Sequence, residues 1–198
     1  MYELGGKSMK KMMRHILFSF AILAGIVMAG VNPASASTLK DIYGNPVVAG
    51  QEYYLESYEY PWLGIYFDQW SGTDWARLGA PREEQETVKI IQSGNSIKLE
   101  TNRYKQETDF FGGIYHVPLY LSIDFNADGV ALGKDSPYDE EWWTLTVPFD
   151  SDLAAQNYFA LKNYYNNKFM SFSITNGWFT ASKSNMDYET LWILSPKR

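Results

Sequence analysis

Aromatic rings and amide or carboxylate side chains occur together in three stretches of this 198-residue chain, a pairing suited to holding a sugar. A flat ring stacks on the apolar face of a pyranose, while Asn and Asp orient its hydroxyls by hydrogen bonds. Asp68, Trp70, Asp74 and Trp75 form one group, Tyr164, Tyr165, Asn166 and Asn167 a second, and Tyr138 with Asp139 a third. The same residues also have a plain structural reading. Asparagines favour tight turns for backbone reasons, and rings at strand ends cap barrels.

Asp124-Phe125-Asn126-Ala127-Asp128-Gly129, with Asp135 at the twelfth position, matches the start of a calcium loop. Its flanks read as strands rather than helices, and position twelve is Asp rather than a bidentate Glu. Asn126-Ala127-Asp128-Gly129 is already a good hairpin turn. Calcium is therefore the one cofactor the sequence raises, and otherwise none is expected.

Catalysis has little to work with. The chain has no cysteine, and beyond its N-terminal leader only one histidine, His116, which excludes thiol chemistry and argues against a histidine-rich zinc site. Glycoside hydrolysis needs two carboxylates, for which Glu83, Glu84, Asp139, Glu140, Glu141 and Asp150 are candidates. Acidic runs more often form a solvated face, so the chain reads as a non-enzyme. Glu86, Glu141 and Glu189 recur at strand starts, which points to a structural role.

The elements that position these residues begin after a leader. Lys7, Lys10, Lys11 and Arg14 precede an uncharged apolar run from Ile16 to Ala29, and Ala34-Ser35-Ala36 supplies a signal-peptidase pattern. The run is shorter than the roughly 20 residues of a membrane span, so residues 1–36 are expected to be a signal peptide that is removed. Met9 is a second candidate start, since Gly5-Gly6 before it reads as a translated ribosome-binding site of a bacterial gene. Removal of the leader leaves 13 basic against 22 acidic residues and a net charge of −9. That balance, with no cluster of Lys and Arg, argues against nucleic acid and anionic membranes as partners. A cysteine-free exported chain must hold together by its core, and aromatics at 17% supply one.

Residues 37–50 read as an irregular lead-in, and the rest, 51–198, as one domain. From Tyr53 onward a pattern of four short apolar runs is used three times, over about 51–94, 95–150 and 157–195. The last pass is the least interrupted: Phe159-Ala160-Leu161-Lys162, Lys168-Phe169-Met170-Ser171-Phe172, Trp178-Phe179-Thr180-Ala181 and Thr190-Leu191-Trp192-Ile193-Leu194, separated by polar turns. The closing runs align on Glu86, Glu141 and Glu189. Insertions at Asn102–Pro118 and Pro148–Asn157 account for the unequal spacing of the passes, and both are expected to be loops. Units of this size cannot bury their own apolar faces, so three of them predict a closed all-β body with pseudo-threefold symmetry. A β-sandwich is the alternative, because regular turn spacing fits either.

The four-run pattern, clearest in Gly177-Trp178-Phe179-Thr180-Ala181 and Glu189-Thr190-Leu191-Trp192-Ile193, resembles the β-trefoil superfamily, in particular its fascin-like and ricin-B-like members. The likeness spans about residues 50–195 and is one of residue classes. The ricin-like signature, glutamine and tryptophan separated by one residue, is absent; Gln69-Trp70 has the two adjacent. The resemblance implies binding rather than catalysis: a secreted, extracellular, lectin-like module for carbohydrate or cell-surface glycan. Two other functions are carried beside it. One is a protein-directed trefoil, a protease inhibitor or toxin-like factor acting through the apolar stretch Phe110-Phe111-Gly112-Gly113-Ile114-Tyr115 in the 102–118 insertion. The other is a calcium-stabilised surface or matrix protein.

Overall fold

Short apolar runs between polar turns set most of the strands in this chain; its computed structural model describes residues 39–81, 84–124 and 128–197, and twelve strands lie among them. The expected leader with its cleavage site, the alternative start at Met9, Glu83, and Phe125–Ala127 of the acidic loop lie outside the described residues. The first pass supplies β1 (Glu52–Ser57), β2 (Leu63–Trp70), β3 (Thr73–Pro81) and β4 (Val88–Ser93). The second supplies β5 (Ser96–Thr108), β6 (Ile114–Ile123), β7 (Val130–Gly133) and β8 (Trp143–Thr146). A short helix, α1 (Ser151–Ala155), leads to the third: β9 (Phe159–Asn163), β10 (Phe169–Phe172), β11 (Phe179–Lys183) and β12 (Leu191–Pro196).

Pairing closes a ring. β1 pairs with β4 and β12, β5 with β4 and β8, and β9 with β8 and β12, all antiparallel. The remaining six strands form three hairpins, β2–β3, β6–β7 and β10–β11. Their edges bridge in a triangle through Trp75↔Ala131, Gly129↔Thr180 and Arg77↔Trp178. A six-stranded barrel with three hairpins meeting around one axis is the β-trefoil arrangement. The β-sandwich is excluded, because the barrel ladder returns to its first strand.

The barrel interior repeats as the strands do. Leu55, Leu99 and Leu161 are fully buried at equivalent places in the three passes, beside the fully buried rings of Trp143 and Trp192. The closing strands differ in one register detail. Val88 and Ile90 of β4 and Trp143 and Leu145 of β8 join the main core, but in β12 it is Trp192 and Leu194, while Leu191 belongs to a smaller cluster with Leu153, Ala160 and Phe169. The alignment on Glu189 is therefore one residue out of phase. A 3-10 turn over Tyr188–Thr190 precedes β12 and absorbs the extra residue, and a shift of one residue exchanges the two faces of a strand.

The lead-in segment contributes to the same core through Leu39, held by a Lys40↔Pro46 bridge and by the Ile42 amide, which donates to the Leu194 carbonyl at 2.8 Å. The insertion at Asn102–Pro118 is not a loop. β5 and β6 run through it in register from Tyr104↔Pro118 to Thr108↔Ile114 and form a projecting hairpin. From Asn102 to Gln106 its residues are polar apart from Tyr104 and all are exposed, so no apolar face marked the strand. Thr101 Oγ, which donates to the Leu119 carbonyl at 2.8 Å, fixes the irregularity where the hairpin leaves the barrel.

Candidate functional site

Ser71 and Gly72 join β2 to β3 with φ of 53° and 82°, the positive values that a type I′ hairpin turn requires at both positions. This tight turn brings Trp70 and Trp75 together diagonally. Their ring centroids lie 6.1 Å apart, and the Trp75 indole N–H donates to the Trp70 carbonyl at 3.3 Å. Trp75 reaches across to the second pass, where Gly129 leaves room for it: a Cβ there would stand 2.4 Å from the ring.

The third pass completes the enclosure. Gly177, with φ of 75°, sits so close to β3 that an added Cβ would lie 2.4 Å from the Leu78 carbonyl oxygen. Trp178 follows it. The Arg77 guanidinium lies over the Trp178 ring at 4.6 Å, donates to the Asn176 carbonyl at 3.1 and 2.8 Å, and pairs with Asp68 at 2.8 Å. This one cation locks the first hairpin to the third. The result is a mostly apolar cavity of about 290 Å³ on the hairpin triangle, lined by Trp70, Trp75, Gly129, Trp178, Phe179 and Thr180. Trp70 is 66% exposed at its mouth.

A second, smaller cavity of about 180 Å³ is lined by Ser93 of the first pass, Ser96, Asp139 and Trp142 of the second and Tyr164 of the third. The Tyr164 amide donates to the Trp142 carbonyl at 2.8 Å, and the Trp142 amide to that of Asp139 at 3.0 Å. Trp142 also lies against Lys98, whose ammonium is 4.6 Å from the ring centre and 2.9 Å from the buried carboxylate of Glu141, and bonds to Asp135. Burial alone pushes the Lys98 pKa down, but hydrogen bonds to Asp135 and Glu141 outweigh it and the net shift is upward. The Lys98 hydrogen bond holds Asp135 below its ordinary value. Volume does not single out either cavity, since grooves of about 380 and 420 Å³ exist elsewhere, but no tryptophan lines either of those grooves.

The sequence-predicted residues divide accordingly. Trp70 and Trp75 share the first cavity, and Tyr164 meets Asp139 in the second. Asp68 is bound to Arg77, and Asp74 faces Gln69 across the ladder. Tyr138 is exposed outside both cavities, its amide donating to Ser136. Tyr165, Asn166 and Asn167 build a turn: Asn163 accepts from the amides of Tyr165 and Asn166, Asn166 donates to the Ala181 carbonyl at 2.8 Å, and Asn167 has φ of 59°. Trp178, Phe179, Gly129 and Trp142 were missed. Trp142 could have been found, because in the Trp142-Trp143 pair one ring must point outward if the other points in.

Several of the other candidates have structural partners. Asp150 caps α1 by accepting from the Asp152 amide at 2.8 Å, and His116 is exposed opposite Gln106 on the projecting hairpin. Glu86, Glu141 and Glu189 pair with Arg103, Lys98 and Lys183. In the acidic stretch, Asp128 accepts from Asn166 at 3.4 Å and Asp135 is engaged by Lys98. Among the described residues no three His, Cys, Asp or Glu side chains gather as a metal site would need, and no helix is long and apolar enough to cross a membrane.

No protein-family model matches the chain, and no curated protein matches it in sequence. Solved structures do. The apo BEL β-trefoil superposes with a TM-score of 0.55 at 16% identity, over 77% of this chain and 97% of that one. The binding domain of Paraclostridial Mosquitocidal Protein 1 gives 0.61 at 13% identity, over 83% and 45%. The Polyporus squamosus lectin bound to a human-type influenza-binding epitope gives 0.52 at 11% identity, over 75% and 50%. The chain thus spans about half the length of the latter two. At such identities the likeness is one of fold, and the fold is the β-trefoil.

Proposed function

We propose that this chain is a secreted, non-catalytic carbohydrate-binding module whose principal sugar site is the tryptophan cavity on the hairpin triangle. The observation that carries this reading is the meeting of Trp70, Trp75 and Trp178 around one cavity of about 290 Å³. Indole faces are suited to the apolar face of a pyranose, and the cavity falls near the lower end of the usual size for small-ligand sites. The lectins and binding domains of the same fold lend support at the level of class. The cavity at Asp139, Trp142 and Tyr164 is a second, more polar subsite in this reading. A glycan array with the mature chain, followed by calorimetry on the best ligand, tests it. Trp75→Ala and Trp178→Ala each weaken binding by roughly 2 kcal/mol, about 30-fold, as truncation of a central aromatic anchor does. Absence of any glycan signal, or unchanged affinity in both variants, overturns it.

A further inference from the structure

We propose that the projecting β5–β6 hairpin docks the protein onto a zwitterionic lipid bilayer, with Phe110 and Phe111 entering its apolar layer. Five cross-strand pairs, from Tyr104↔Pro118 to Thr108↔Ile114, carry the tip outward, a reach of about 15 Å at the usual rise per strand residue. At the end stand two adjacent rings, 96% and 93% exposed and 5.5 Å apart edge to face. Water-exposed phenylalanines of this kind are costly unless something covers them.

The turn that holds them is built, not slack. The Asp109 carboxylate accepts from the amides of Phe111 at 2.9 Å and Gly113 at 2.7 Å, and its carbonyl accepts from Gly112 at 3.1 Å. The Asp109 amide in turn donates to the Gly113 carbonyl at 2.8 Å. Gly112 has φ of 83°, and a Cβ on Gly113 would fall 2.7 Å from that carboxylate. The amides of Asp109, Phe111, Gly112 and Gly113 are thus satisfied inside the turn, which is what an apolar phase demands, since hydrocarbon offers them no partner. A protein groove can supply its own hydrogen bonds and has no need of this.

Polarity is also graded along the hairpin. Behind the two rings come Ile114 and Tyr115, 65% and 46% exposed, and the Tyr115 hydroxyl is held back toward the stem by Glu107 at 3.2 Å. Tyrosine belongs at the headgroup level of a bilayer. Next come Gln106, His116 and Lys105. Two of the stem charges are paired, Glu107 with Lys134 and Arg103 with Glu86, each at 2.5 Å. The net charge of −9 over residues 37–198 favours zwitterionic over anionic lipid.

Co-sedimentation of the full secreted chain with phosphatidylcholine vesicles tests this. The wild type sediments, F110S/F111S binds at least about tenfold more weakly with unchanged melting and unchanged sugar affinity, and F110L/F111L retains binding. Added phosphatidylserine does not strengthen it. A wild type that stays in the supernatant, or a double serine variant that sediments like it, overturns the proposal. So does sedimentation only with glycolipid-bearing vesicles that Trp75→Ala abolishes, which would give the contact to the tryptophan cavity, or capture of a soluble protein through the two phenylalanines without vesicle binding.

Discussion

The tryptophans of the hairpin triangle and the phenylalanines of the projecting hairpin both bring rings to the surface, but the first set is concave, with Trp75 and Trp178 half-buried, and the second convex and fully exposed. Trp70, Trp75 and Trp178 turn toward a shared cavity and are fixed by contacts between passes, the Arg77 guanidinium above all. Phe110 and Phe111 touch each other and stand clear of the body, fixed by one local turn around Asp109. A cavity made by distant strands suits a small ligand that needs several groups placed at once. A tip made by consecutive residues suits a surface without a fixed shape. Aromatic content alone does not separate these uses; the direction of the rings does.

The scaffold beneath both sets gives the largest effect. Trp192 is fully buried, with Phe179, a wall of the cavity, 4.9 Å away. Trp192→Ala lowers stability by about 3–5 kcal/mol in chemical denaturation and reduces sugar binding, whereas Trp70→Ala, at an exposed position, changes stability by about 0.5 kcal/mol or less. Equal destabilisation by the two changes would break the division between scaffold and site. A finer test is Gly129→Ala, whose methyl group meets the Trp75 ring. It lowers sugar affinity at least about tenfold in calorimetry, an effect of the size of one well-placed contact, and leaves vesicle binding as it was. Loss of both activities together would mean that the concave and convex sites are not independent.

The smallest effect concerns the polar cluster beside the second cavity. The folded-state pKa of Asp135 is depressed by Lys98, so the pair's stabilisation is present above the unfolded value of about 3.9 and is lost as pH falls through the lower folded value. For Lys98 the folded pKa is raised, so its contribution holds below its ordinary value and is lost as pH rises through the folded one. Melting midpoints therefore stay level between about pH 5 and 9, fall on acidification, and fall less in Asp135→Asn. Because Asp135 is largely solvent-exposed, screening keeps the difference small.

Most of the fold was legible because alternation and turn residues are local signals. Polar turns between apolar runs marked the hairpins, and the four-run pattern used three times from Tyr53 onward marked the passes. The hairpin at 102–118 escaped because both its faces meet water, which removes the alternation that marks a strand. The out-of-phase Glu189 escaped because one added residue in a turn leaves the run of apolar residues looking the same. Of the six residues that line the tryptophan cavity, Trp70 and Trp75 were visible in the sequence. The carboxylates grouped with them lie elsewhere, since Asp68 serves Arg77 and Asp74 faces Gln69 across the ladder.

By itself, then, the sequence determined a cysteine-free, aromatic-rich, three-pass all-β chain that resembles a β-trefoil, because apolar runs and turn residues are written locally, and it left a β-sandwich open. Only the tertiary structure decided which rings share a cavity. Trp75, Gly129 and Trp178 come together through the bridges Trp75↔Ala131, Gly129↔Thr180 and Arg77↔Trp178, and those registers are set when the barrel ring closes. Ring closure joins strands from all three passes at once, so no local pattern in any one pass encodes it.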